Sequence, residues 1–304
     1  MWKSKKSATD RLSEISSRAT HVLFEGGLPI SGTEFGPLFV KDANFLEKKK
    51  IQVGIILHGS DIRIPSKHVE LNGLLSPFAE QDEWTTSLEI KSSRLHQVLN
   101  GLPKIKKFIT TTDLLDYVSD GIWLPVSVDT EALNSSREAF SDDIVRILHL
   151  PSNRRIKGSE QVDIEMALLT SDARFEYRSL TGLSRKEVIE QIDWADIVLD
   201  QFGVGGYGVL ACEAMAMCRV VICRLNPIVE IHQPGLPIIN LEVKNLAEGI
   251  RGLVSDLEQA KNLATLGRDY AFNFHNGRMS SEVLANFIGI PLKLQSQISA
   301  ATKL

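Results

Sequence analysis

Residues 195–221 have the sequence ADIVLDQFGVGGYGVLACEAMAMCRVV, which contains the clearest pattern for the fold class. It contains an apolar strand centre, Ile197-Val198-Leu199, then a glycine-rich loop over residues 200–208, then an apolar helical pattern over Gly208–Met217. A second apolar strand starts at Val220. Continuously apolar strands are typical of parallel sheets covered on both faces. The order strand, loop, helix, strand therefore predicts an α/β fold.

The same alternation continues on both sides of this stretch. Short β-branched or apolar runs predict nine strands, at His21–Glu25, Gln52–Leu57, Lys107–Thr110, Ile122–Pro125, Ile144–Leu150, Phe175–Ser179, Ala195–Asp200, Val220–Arg224 and Pro237–Leu241. The periodicity predicts further helices at Gln161–Thr170 and Arg185–Ile192 and an amphipathic run from Leu246 to Thr265. The segment Ile64–Ser92 is only weakly patterned.

A polar segment over Asp129–Asp142 separates the first four strands from the last five. It predicts two Rossmann-like domains, residues 1–134 and residues 135–304, because domains usually run ~100–200 residues. The first domain has fewer strands than the second, so we expect it to be shortened.

Composition excludes several classes of protein. The 304 residues are 43% hydrophobic and 24% charged, which are ordinary globular values, and the net charge of -4 argues against a nucleic-acid binder. No apolar run reaches the ~18–20 residues of a membrane span. The basic start, Met1–Lys6, is followed by the polar segment Ser7–Arg18, a candidate helix, rather than by a signal-peptide core. We therefore expect a cytoplasmic protein.

The three cysteines, Cys212, Cys218 and Cys223, lie on one apolar stretch. An odd number makes no disulfide framework, and no histidine lies nearby at ligand spacing. We expect them to be buried as small apolar residues rather than to form a metal or redox site.

The first candidate site segment is His58-Gly59-Ser60-Asp61-Ile62-Arg63, directly after a predicted strand. Ligands of open α/β sheets bind at the carboxyl ends of strands. A histidine, an aspartate and an arginine there can hydrogen-bond hydroxyls and hold an anion. The alternative is a turn capped by Asp61, and the segment alone leaves both interpretations open.

The second candidate segment, Pro151-Ser152-Asn153-Arg154-Arg155-Ile156-Lys157-Gly158-Ser159, places three cations between a strand and a helix. Cations and helix N–H groups suit a phosphate, although the spacing is not that of a P-loop. The alternative is a solvated basic turn.

The glycine-rich loop over residues 200–208 is the third candidate segment, because glycines let a ligand approach backbone amides. Glu213 is the only charged residue in the apolar helix that follows. A buried carboxylate needs a partner, either a ligand hydroxyl or an arginine of the same domain.

Taken together, these segments resemble the group-1 (family 4-like) glycosyltransferases of the GT-B fold, in which two Rossmann-like domains face each other across a cleft. The resemblance covers about residues 21–287. It rests on His58–Arg63, on Pro151–Gly158, on residues 195–221 and on Pro125-Val126-Ser127-Val128-Asp129, which is similar to the family's domain-crossing Pro-x3-Asp.

The resemblance implies a retaining, metal-independent transfer of a sugar from a nucleotide-sugar to a glycan or lipid-linked acceptor, with no further cofactor. It implies a catalytic group at His58, Asp61 and Arg63. It implies that the donor is bound by Arg154, Lys157, Asp200, Gln201, Gly206, Tyr207, Gly208 and Glu213.

Three departures from the family pattern keep alternatives open. Gly205 stands where many members have a first glutamate, Ser152 stands where the usual arginine precedes Lys157, and no counterpart of the opening strands lies upstream of His21. The alternatives are a non-catalytic nucleotide-sugar-binding partner or remnant, and an enzyme of the same fold with another reaction, such as an epimerase.

Two basic runs, Lys48-Lys49-Lys50 and Lys104-Ile105-Lys106-Lys107, lie in the first domain. Such runs attract anionic lipid, although a solvated face is the more common explanation. They predict peripheral contact with the inner membrane face as one alternative.

Overall fold

The computed structural model describes residues 8–32 and 36–290. It confirms all nine predicted strands, with bounds within two residues of those expected. The strands form two separate parallel sheets, one of four strands and one of five. The protein is therefore an α/β protein with two Rossmann-like sheets.

The first sheet has the strand order β1-β2-β3-β4, with every pair parallel. Its strands are β1 His21–Glu25, β2 Gln52–Leu57, β3 Lys106–Ile109 and β4 Ile122–Trp123. The helices of this part are α1 Ala8–Arg18, α2 Pro37–Lys48, α3 Gly59–Ile62, α4 Pro65–Asn72 and α5 Glu83–Asn100. Because the strands follow each other in chain order, this sheet has no internal switch point.

The weakly patterned segment over residues 64–92 forms regular helices rather than an irregular insertion. Helix α4 begins with Pro65 and is followed by Gly73 at φ 56°, and the N-cap Asp82 of α5 accepts a hydrogen bond from the Thr85 N–H at 2.8 Å. The pattern was weak because the residues that α4 buries are Pro65 and a histidine, His68, rather than an aliphatic stripe.

The second sheet has the strand order β6-β5-β7-β8-β9 and is also parallel throughout. Its strands are β5 Val145–His149, β6 Phe175–Ser179, β7 Ile197–Leu199, β8 Val220–Cys223 and β9 Ile238–Asn240. The chain changes direction across the sheet between β5 and β7. Such switch points are where doubly wound sheets bind ligands.

Eight helices follow β5 along the described chain: α6 Arg154–Lys157, α7 Ser159–Leu169, α8 Arg185–Trp194, α9 Val209–Ala216, α10 Pro227–His232, α11 Leu246–Val254, α12 Leu257–Phe274 and α13 Arg278–Phe287. Two helices, α11 and the first part of α12, occupy the predicted amphipathic run over residues 246–265. The side chain of Asp256 caps α12 by accepting the Gln259 N–H at 3.0 Å, which starts a new helix there.

Helix α13 returns to the first sheet, although the sequence division assigned it to the second domain. The Ser280 hydroxyl donates to the Pro125 carbonyl at 2.6 Å, and the Phe287 ring packs edge-on against His21 and Phe108. Gly54 makes room for this helix, since a Cβ there would lie 3.1 Å from the Phe287 ring. The last described helix thus runs from the carboxyl edge of the first sheet to its amino edge.

Two features complete the fold. Cys212 and Cys223 are free and buried, as expected, and Cys218 is free and half-buried. Within residues 8–32 and 36–290, no helix combines the length and apolar character needed to cross a bilayer.

Candidate functional site

Residues from the carboxyl ends of both sheets line one cavity of about 510 Å³. The first sheet contributes Glu25, His58 and Arg63, and the glycine-rich loop after β7 contributes Gln201 and Gly208. Its lining also includes Gly59, Thr110, Thr111, Pro125, Ile156, Val204, Tyr207 and Val209. The cleft between the domains therefore gathers parts of all three sequence segments predicted to bind ligand.

His58 lies at the mouth of this cavity. Its ring Nε2 is hydrogen-bonded to the carboxylate of Glu25, and both side chains are partly exposed. Glu25 was not among the predicted site residues. The signal was its position as the last residue of β1, because the carboxyl ends of adjacent parallel strands lie side by side. The pair thus places an imidazole and a carboxylate side by side at the cleft.

Asp61 has the contacts of the turn-capping interpretation. Its carboxylate accepts the His58 N–H at 3.2 Å and lies 3.4 Å from the Lys91 ammonium. Gly26, at φ 55°, leaves space for it, since a Cβ there would approach Asp61 Oδ2 to 2.9 Å. Asp61 thus fixes the backbone that presents His58, and its catalytic role stays a prediction.

Arg63 is buried and forms an ion pair with the buried Asp113. The second carboxylate oxygen of Asp113, Oδ1, has no hydrogen-bond partner within residues 8–32 and 36–290, and it faces Gly206, where a Cβ would lie only 2.6 Å away. Gly206 therefore packs against the first domain. Its predicted contact with donor phosphates stays a prediction.

The basic loop splits its two arginines between different partners. Arg154 forms an ion pair with Asp163 at 2.6 Å and lines a second cavity of about 540 Å³ rather than the cavity beside His58. Arg155 donates to the Pro77 carbonyl at 2.6 Å and stacks on Trp84, so it ties the two domains together. The structure therefore does not bring Arg154 to His58.

Lys157 is buried at the switch point and forms an ion pair with Asp200, which is fully buried. The other oxygen of Asp200 accepts the Gly208 N–H at 2.6 Å. Gln201 donates to the Gly206 carbonyl at 2.8 Å, which closes the glycine-rich loop. Of the predicted donor residues, Lys157, Asp200, Gln201 and Gly208 are thus brought together.

Tyr207 and Glu213 are both buried in the second domain, although Tyr207 also borders the cavity beside His58. The Tyr207 hydroxyl accepts from the Gln233 amide at 3.0 Å, and burial raises the pKa of Tyr207 well above its usual range. Glu213 is buried and forms an ion pair with Arg185, the alternative that the sequence left open. Burial raises the pKa of Glu213, while Arg185 opposes that shift. Contact of either residue with a donor stays a prediction.

Several solved structures are similar to this chain over most of its length. A glycosyltransferase from Rickettsia africae is similar with a TM-score of 0.59 and 14% identity, over 95% of this chain and 84% of that one. HepE of Anabaena in complex with UDP-glucose is similar with a TM-score of 0.61 and 10% identity, over 93% and 81%. Sucrose-phosphate synthase from Thermosynechococcus elongatus has a TM-score of 0.59 and 13% identity, over 96% and 77%.

No protein-family model and no curated protein matches the chain. At these identities the structural likeness establishes the fold. This chain has two parallel Rossmann-like sheets with a cavity between their carboxyl ends. The chain has the GT-B fold of the group-1 glycosyltransferases.

Proposed function

We propose that the protein is a retaining, metal-independent glycosyltransferase that moves a sugar from a nucleotide-sugar to a glycan or lipid-linked acceptor in polysaccharide biosynthesis. The single observation that supports this most is the cavity that brings His58 opposite the amino end of α9. A donor lying between them would have its sugar near His58 and its phosphates at the helix.

The amino end of α9 suits a leaving phosphate. The first N–H groups of a helix have no partner within the helix, and the helix dipole favours an anion there. Gly208 and Val209 line the cavity at this end. Negative charge develops on the departing phosphate during glycosyl transfer, so fixed positive dipoles and the Lys157 ammonium beneath them would stabilise the transition state.

The nature of the donor is supported by similar structures. HepE of Anabaena has been solved with UDP and with UDP-glucose. We propose a nucleoside diphosphate sugar as the donor here as well. Retention of configuration and independence from metal follow from the family resemblance, and both can be checked on the product and with a chelator.

The function is tested by incubating the purified chain with UDP-, GDP- and ADP-sugars and following hydrolysis and transfer with and without EDTA. We expect turnover of one donor, unchanged by EDTA, with an α-linked donor giving an α-linked product. Glu213→Ala should weaken donor binding. Equal donor affinity and activity of wild type and Glu213→Ala would contradict the donor-site assignment.

A second candidate function is a non-catalytic nucleotide-sugar-binding partner. It is favoured by the internal ion pairs of Lys157 and Glu213, which satisfy both groups without a ligand. This candidate predicts nucleotide binding without turnover. Robust transfer by the purified chain alone would eliminate it.

We also propose a cytoplasmic location with peripheral contact at the inner membrane face. Amino ends of parallel strands share one edge, and Lys106 pairs in register with Gly54 of β2. Lys48, Lys49, Lys50, Lys104 and Lys106, here named the lysine edge, are all exposed at that edge. Exposed Ile288 and Ile290 follow Phe287, whose ring packs over the first residue of β1. Lysines beside exposed aliphatic groups suit an anionic bilayer.

A further inference from the structure

The basic side chains predicted for the cleft all have an acidic partner. The ion pairs are Arg63 with Asp113, Arg154 with Asp163 and Lys157 with Asp200, and the His58 ring is hydrogen-bonded to the Glu25 carboxylate. A diphosphate entering this cleft therefore meets cations whose charge is already balanced. The free energy of binding is then the difference between the ion pair that a cation forms with the phosphate and the ion pair that it already forms with a carboxylate.

The pair formed by Lys157 and Asp200 differs from the others in its geometry. Asp200 is fully buried, and its two oxygens hold the Lys157 ammonium and the Gly208 N–H. These are two of the groups that the proposed function assigns to the donor phosphates. The Asp200 carboxylate thus makes the contacts that a donor phosphate would make at the switch point of the sheet.

The path from the cavity to Lys157 runs past Gly208. A Cβ on Gly208 would lie 3.6 Å from the Lys157 ammonium and 3.4 Å from Asp200 Oδ2, and Gly208 itself lines the cavity. A side chain at this position would therefore contact both partners of the ion pair, and the backbone of the same residue borders the cleft. A phosphate in the cleft can therefore compete for Lys157 without a rearrangement of the sheet.

We propose that Asp200 is a built-in counter-anion that sets the affinity for the donor diphosphate by competing with it for Lys157 and the Gly208 amide. This inference rests on the proposed function, because it concerns the same site. It makes Asp200 an affinity-setting residue that donor phosphate displaces, rather than a ligand of the sugar.

The chain offers a matched control in the same loop. Arg154 and Asp163 form a second cation–carboxylate pair, but Arg154 lines the other cavity and is half-exposed. Asp163→Asn changes the overall charge as Asp200→Asn does. It frees a cation that does not face His58.

The test measures binding of UDP and of inorganic pyrophosphate by calorimetry at low salt. Asp200→Asn should bind both about tenfold more tightly, because one charge-assisted hydrogen bond no longer competes. Its affinity should fall more steeply with added salt than that of wild type. Asp163→Asn should bind as wild type does, and Lys157→Met with Asp200→Asn should lose the gain. Thermal melts check the fold, and Asp200→Ser is the second variant.

The outcomes separate the inference from the proposed function. Equal or weaker binding by folded Asp200→Asn and Asp200→Ser would overturn the inference, since Asp200 would then only position Lys157. An equal gain in Asp163→Asn would also overturn it. If Asp200→Asn tightens pyrophosphate binding but no donor supports transfer, the proposed function fails and the inference stands.

Discussion

The cleft and the lysine edge lie at opposite ends of the first sheet, and their cationic side chains differ in burial and in ion pairing. In the cleft, Arg63 and Lys157 are buried against carboxylates. At the lysine edge, the side chains are exposed, and none forms an ion pair with another described residue. The exposed lysines without a described ion-pair partner therefore lie at the edge remote from the proposed chemistry. Cations counted along a sequence do not reveal which of them are available to an anion.

The largest expected effect is a loss of sugar transfer when Lys157 in the cleft is replaced. Lys157→Met should lower sugar transfer by about 100-fold to 1,000-fold, because a preorganised charge near the leaving group is lost. Steady-state rates with the best donor measure it. Lys106→Met at the lysine edge is the control and should leave the rate unchanged; similar losses in both variants would break the contrast.

Vesicle binding is the next test and concerns the other region. Changing Lys48, Lys49 and Lys50 together to glutamine should reduce binding to phosphatidylserine vesicles about 100-fold, since each lysine near an anionic surface contributes ~1 kcal/mol. Co-sedimentation at low salt measures it. The matched control changes Lys186, Lys244 and Lys261, which all have carboxylate partners. Equal losses in the two triple variants would argue against a specific docking surface.

The packing of the cleft wall predicts a smaller effect on stability. Gly206→Ala should lower the free energy of unfolding by ~1–3 kcal/mol, because its Cβ would collide with Asp113 Oδ1. Gly252→Ala is the control, since nothing lies within 4 Å of that position in α11, and it should stabilise by ~0.5–1 kcal/mol. Denaturant unfolding measures both changes. Unchanged stability of Gly206→Ala would mean that the domains are not packed together there.

The smallest expected effect is a loss of stability in acid, which comes from buried histidines and not from the lysine edge. Lysines stay charged in acid, whereas burial lowers the pKa values of His68 and His275 to about 4. Their unfolded pKa is ~6.5, so the unfolded state takes up protons first and stability falls as pH falls. Each histidine should cost about 1 kcal/mol between pH 7.5 and 5.5.

Unfolding curves at several pH values measure this dependence. His275→Gln should make the free energy of unfolding less dependent on pH over that interval, because one titrating group is removed. His232→Gln, at an exposed histidine, is the control. A slope that His275→Gln leaves unchanged would contradict the assignment of a neutral, buried imidazole.

Much of the fold could be predicted from local sequence. The strand centres Ile197-Val198-Leu199 and Val220-Val221-Ile222 are apolar throughout, and this pattern directly reflects burial on both faces. The helices over residues 64–92 were not predicted because α4 buries His68. The partners of His68 are Ser76 and the Val204 carbonyl of the other domain. Such partners are distant in sequence, so periodicity cannot show them.

The sequence predicted which segments form the site but not which partners their individual side chains contact. The three segments do converge on the cleft, because carboxyl ends of parallel strands share an edge. Arg154 and Arg155 are adjacent and chemically alike in sequence, yet one pairs with Asp163 and the other ties the domains through Pro77. Glu25 was missed because its role depends on the register between β1 and β2, which brings it beside His58.

A crystal structure of the chain with UDP tests whether a donor binds between His58 and α9. We predict that the diphosphate lies against Gly208 and Val209, with the Lys157 ammonium moved from Asp200 to a phosphate oxygen. UDP in the cavity beside Arg154, or Lys157 still paired with Asp200 while UDP occupies the cleft, would contradict the account.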